Sequence, residues 1–150
     1  YPWTASSTGL ASALLPRWAE VGGRDSLLAR LADSTTRRRI VADMRENLRR
    51  RNGAESLLLT VVSGGEELRR EARGRTLAEF AAGRGIDPVE AAIAIVVAGG
   101  ASVASFTMDE ADIEAYMAQP FVMTGSDGSA GHPRKYATYP RKLAHYVIER

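Results

Sequence analysis

The chain contains no cysteine and only two histidines, His132 and His145, among its 150 residues. Without cysteine there can be no disulfide and no thiolate metal site within it. Two histidines argue against a zinc site built from this chain alone, because zinc takes three or four nitrogen or sulfur ligands. No apolar run approaches the ~20 residues that span a bilayer, so no transmembrane helix is expected. Charge of one sign is also missing. Twenty basic and eighteen acidic residues leave a formal net charge of +2, too small a field to argue for nucleic acid despite a pI near 9.2. The sequence opens on Tyr1 with no Met and no signal-peptide pattern, which predicts an excised, cytoplasmic piece of a longer polypeptide.

What is present is ordinary globular material, 45% apolar and 25% charged, and its length predicts one compact unit with a real core. Helical turns are expected near 9–15 and 16–21, separated by Pro16. A helix over Leu27, Leu28 and Leu31 follows, capped by Asp25 or Ser26. Ser34 offers an N-cap for the longest helix, about 35–51, where Ile40, Val41, Met44 and Leu48 form one stripe and Asn52-Gly53 the stop. Arginine triplets at 37–39 and 49–51 flank that helix. Each spreads around the helix, so a solvated face is expected rather than a phosphate-binding one.

The run Ser56–Val62 reads as a buried strand, and 66–73 as a turn or short helix. Thr76 and Glu79 form a capping box. Asp87-Pro88 opens an apolar helix that ends at Gly99-Gly100. Residues 101–107 are a second strand, Asp109 caps a helix over 110–118, and 121–124 is a third strand. The final helix is expected at about 140–149, with Pro140 at its first position. This order of strands and helices argues for an α/β fold with parallel pairing. The four methionines read as packing residues.

The segment most suited to chemistry is Phe121–Arg141, FVMTGSDGSAGHPRKYATYPR. A carboxylate among small residues just past a strand end lies where parallel α/β folds gather their functional loops. The same Ser-Asp-Gly also suits a simple tight turn with a solvated Asp127.

The motif GSDG…HPRKYATYPRKLAHYV, with the opening YPWTASSTGL…LLPRW, resembles the C-terminal part of the D-aminoacylases, N-acyl-D-amino-acid deacylases of the amidohydrolase superfamily. The resemblance implies the last strands and helices of a (β/α)8 TIM-type barrel, with residues 10–52 as a helical insertion over its mouth. It implies a zinc-dependent hydrolase that cleaves an N-acyl-D-amino acid to a carboxylate and a free D-amino acid. Asp127 then matches the catalytic carboxylate beside the metal, and Arg134, in His-Pro-Arg, the arginine that grips the substrate carboxylate. Tyr1 and Ser7 match hydroxyl donors to that same carboxylate, and His132 a loop-orienting residue. Trp3 stands where Tyr is more usual, and the link Ser129-Ala130-Gly131 is shorter than in many family members. The remaining metal ligands, an H-x-H pair, a Cys and two further His, are expected upstream, so the segment alone should neither hold zinc tightly nor turn over substrate. The partner implied is a small N-acyl-D-amino acid, with neither nucleic acid nor membrane. The alternative is a non-catalytic α/β module that binds a small molecule or a protein.

Overall fold

The structure, a computed structural model, describes residues 3–128 and 133–149. Tyr1 and His132 lie outside them. The described residues form two compact units, 6–107 and a smaller one made of 3–5 with 108–149.

The larger unit begins with β1 (Ala5–Gly9), which starts one residue before it, then α1 (Leu10–Leu14), α2 (Arg17–Glu20), α3 (Gly23–Ala32) and α4 (Ser34–Arg50). Pro16 separates α1 from α2 as expected. The start of α3 comes earlier than Asp25 or Ser26, because Gly22 adopts a left-handed φ of 87° and turns the chain there. In α4 the cap is Asp33, not Ser34. The Asp33 carboxylate accepts from the Thr36 backbone N–H at 2.7 Å, and hydrogen bonding from Thr36, its side chain first and then its backbone, holds the Asp33 pKa below the ordinary value. Ile40, Val41, Met44 and Leu48 are all buried along one stripe of α4.

A 3-10 turn (Ala54–Ser56) leads to β2 (Leu57–Val62), followed by α5 (Glu66–Ala72), α6 (Leu77–Arg84), α7 (Pro88–Val97) and β3 (Ala101–Phe106). The strand order is β1-β3-β2. The molecule is α/β, but β2 and β3 run antiparallel, with Leu57 opposite Ser105 and Leu59 opposite Val103. The expected parallel pairing is therefore incorrect for this pair. A parallel pair requires a long crossover connection, but a connection long enough to hold three helices can return the chain in either direction. The register slips between Leu59 and Val61, where Thr60 donates its hydroxyl to the Ser102 carbonyl at 3.0 Å. The extra residue inverts the alternation. Leu57 and Leu59 face the core before it and Val62 after it, while Val61 stays 62% exposed.

These strands meet α1, α4, α6 and α7 in one core whose fully buried members include Leu10, Leu14, Ile40, Met44, Leu77, Phe80 and Ile95. The capping box at Thr76 and Glu79 is closed in both directions. Asp87 accepts from the Val89 and Glu90 N–H groups, with Pro88 opening α7. The arginine triplets are not simply solvated. Arg37 grips Glu90 with both nitrogens, Arg39 lies 4.5 Å from the Trp18 ring centroid, and Arg51 donates to the Ala13 carbonyl and the Ser105 hydroxyl. Arg49 and Arg50 share Glu46 and hold its carboxyl down to about 2.

The smaller unit contains α8 (Glu110–Met117), capped by Asp109, and α9 (Pro133–Leu143), continued by a π-helical turn (Ala144–Ile148). Three expectations fail here. Residues 121–124 are not a strand: Phe121 and Met123 are 78% and 93% exposed and neither is a ladder partner. Met123, unlike the buried Met44, is thus not a packing residue. The last helix begins at Pro133, seven residues before Pro140, which lies inside it. Both prolines suit a helix's first position. The earlier one takes it, and Arg134, Tyr139 and Lys142 of this helix contact the preceding loop. Among the described residues no helix is long and apolar enough to cross a membrane.

Candidate functional site

The loop 121–128 lies against α9 through a short series of side-chain contacts. The Tyr139 hydroxyl donates to the Thr124 carbonyl at 3.3 Å, and the Lys142 ammonium to the Thr124 hydroxyl at 2.7 Å. Two residues on, the Gly128 N–H donates to the Ser126 hydroxyl at 3.3 Å, closing a small turn around Asp127. Asp127 itself takes a left-handed φ of 47°, a conformation that aspartate tolerates better than most residues. Gly128 is required sterically. A Cβ there would lie 2.4 Å from the Lys135 backbone nitrogen and 2.7 Å from its Cα. The loop and the first turn of α9 thus touch backbone to backbone.

That contact brings together the two residues singled out by the motif. Arg134 Nη1 lies 3.2 Å from Asp127 Oδ2. Their surroundings differ sharply: the arginine side chain is 13% exposed, the aspartate 69%. The guanidinium is anchored in the unit while the carboxylate sits at its rim. Thr138, fully buried, donates back to the Arg134 carbonyl at 2.7 Å, a bond that fixes the turn carrying Arg134. Of the other candidates, Ser7 is exposed on β1 in the larger unit, and Tyr1 and His132 fall outside the described residues.

Tyr139, Lys142 and Thr138 were not among the candidates. For Thr138 and Lys142 the signal was the spacing 134, 138, 142, one side chain per helical turn, which becomes visible only once the helix is started at Pro133.

A second cluster pins the end of the chain to α8. The Tyr146 hydroxyl donates to the Glu110 carboxylate. His145 reaches Glu110 with Nε2 at 3.3 Å and Glu149 with Nδ1 at 3.0 Å, and meets the Tyr146 ring edge-on. Burial, then the bond to Glu110, pushes the Tyr146 phenol up to about 12. The same bond, followed by His145, draws the Glu110 carboxyl below its usual value. Trp3 receives the Arg141 guanidinium 5.6 Å from its ring centroid.

A zinc ion needs three or four donors. Among the described residues no three His, Cys, Asp or Glu side chains gather, and the Asp127 carboxylate faces a guanidinium. These residues by themselves do not fit a zinc site.

Part of the chain is similar to a known enzyme. It is 39% identical over 81 residues to the D-aminoacylase of Alcaligenes xylosoxydans xylosoxydans. The match covers 51% of this chain and 16% of that enzyme's length. No family model matches the chain, and no solved structure does.

Proposed function

We propose that this chain forms the substrate-carboxylate end of a hydrolase that cleaves N-acyl-D-amino acids, with Asp127 as its proton-transfer group and Arg134 as its anion clamp. The observation that carries the reading is the juxtaposition of these two side chains, 3.2 Å apart at the junction of a glycine-lined loop and α9, in a chain similar to a D-aminoacylase. A planar guanidinium binds a carboxylate with two parallel hydrogen bonds, which suits the free carboxylate of an acylated amino acid. An exposed carboxylate beside that clamp is placed to take a proton from an attacking water and return one to the leaving nitrogen, so that amide and water become carboxylate and amine. Ser7, Tyr1 and His132 remain in the proposal as further donors and a loop-orienting residue. Zinc remains the expected cofactor, with Asp127 at most one of its ligands, and its other donors would come from outside the described residues. A TIM-type barrel completed by other parts of the polypeptide is the architecture proposed for the whole.

The test is amine release from N-acetyl-D-amino acids by the polypeptide of the complete reading frame. Asp127→Ala should lower kcat roughly a hundred- to ten-thousandfold, the span of general acid–base catalysis, with the far-ultraviolet circular dichroism unchanged. Dialysis against a chelator should abolish turnover and added zinc restore it. An Asp127→Ala variant of undiminished kcat would remove the assignment.

A further inference from the structure

We infer that Asp127 and Arg134 form an exchangeable latch, in which a ligand carboxylate displaces Asp127 from the guanidinium and thereby releases it for proton transfer. The inference rests on the proposed function and adds to it a rule of substrate admission. Arg134 Nη1 already contacts Asp127 Oδ2 at 3.2 Å, so a ligand carboxylate that takes this nitrogen as one of its two donors competes with Asp127 for it.

Which of the two side chains gives way follows from their settings. Arg134 is largely buried, and its backbone is held by Thr138 and by the contact of Gly128 with Lys135. Asp127 is mostly exposed, sits on a loop without regular structure, and holds a left-handed backbone. With its carboxylate partner solvated, the pair is weak. A ligand carboxylate that engages the guanidinium with two oxygens makes the stronger, bidentate interaction. The ligand therefore takes the fixed group and Asp127 moves off. A neutral amide offers no anion and leaves the latch closed, so the carboxylate is demanded for activation as well as for affinity.

The latch makes a prediction opposite to that of an ordinary binding residue. Removing the internal competitor should strengthen the binding of a carboxylate ligand. Binding is measured by calorimetry on the polypeptide of the complete reading frame, dialysed free of divalent metal, with 4-methylpentanoate as probe and 4-methylpentanamide as neutral control. Asp127→Asn should bind the acid roughly two- to fivefold more tightly than the unaltered protein, the size expected for an exposed pair. Asparagine tolerates the left-handed backbone as aspartate does, so the loop is retained. Arg134→Lys should weaken binding of the acid at least about tenfold, and the amide should bind none of the three. Equal or weaker binding of the acid by Asp127→Asn, with Arg134→Lys still impaired, overturns the latch and leaves Arg134 as an anion site. Binding unaffected by Arg134→Lys, or absent throughout, overturns the anion clamp and the latch with it.

Discussion

Gly128 shows how a single missing side chain organises the smaller unit. Its backbone meets that of Lys135 so closely that even a methyl group would overlap it. Gly128→Ala should force loop and helix apart, at about 1–3 kcal/mol by the usual cost of overpacking. Native-state hydrogen exchange should register it as faster exchange of the amides in the first turns of α9, with α4 and α7 unaffected. Residue types alone left Asp127 open between a tight turn and a functional carboxylate, and it was the resemblance to the D-aminoacylases that singled out Asp127 and Arg134 together. Their contact was not readable in the same way. It depends on Gly128 tolerating a neighbour seven positions along the chain and on Thr138 bonding back to Arg134, both consequences of where α9 begins.

At the scale of elements, local signals were dependable and long-range ones were not. Thr76 with Glu79 and Asp87 with Pro88 mark helix starts because the groups they satisfy lie within three residues. Pro140 misled because a proline suits the first turn of a helix, yet here it lies in the interior, just ahead of the π-helical turn. The direction of β2 against β3 and the slip at Thr60 depend on residues some forty positions apart, which no local pattern encodes. The contact between α8 and the π-helical turn carries its own prediction. The folded-state pKa of Glu110 lies below its ordinary 4.5. Its contribution is present above pH 4.5 and is lost as pH falls through the lower folded value. The Tyr146 phenol is raised from 10.0 to about 12, so its contribution is complete below pH 10 and disappears as pH rises toward 12. Near-ultraviolet circular dichroism of the tyrosines should follow both limbs, and Tyr146→Phe should remove the alkaline one.

For the molecule as a whole, the two units differ in how much apolar surface each covers by itself. Residues 6–107 hold a continuous core that runs from Leu10 to Val103. Among the described residues of 108–149, Ile113 and Thr138 are the buried ones, while Phe121, Met123, Tyr136, Leu143, Val147 and Ile148 are exposed. Resistance to opening scales with such burial. Hydrogen exchange should find the slowest amides in β2 and α7, and exchange in α8 and α9 faster by at least about tenfold. The α/β class was evident from the order of elements, because apolar runs bounded by glycines alternate with capped helices. The division into two units was not, since it depends on which apolar residues find partners.

The irregularity at Thr60 has a bearing on how the sequence can change. Because Leu59 and Val62 both point inward, β2 has a length that is as constrained as its composition. Losing Thr60 would remove the extra residue and leave Leu57, Leu59 and Val62 on one face by strict alternation, whereas losing Leu58 would turn Leu57 out to water. Substitution within this stretch is therefore a matter of volume, whereas a one-codon deletion ahead of the slip reverses which side of the sheet is wet.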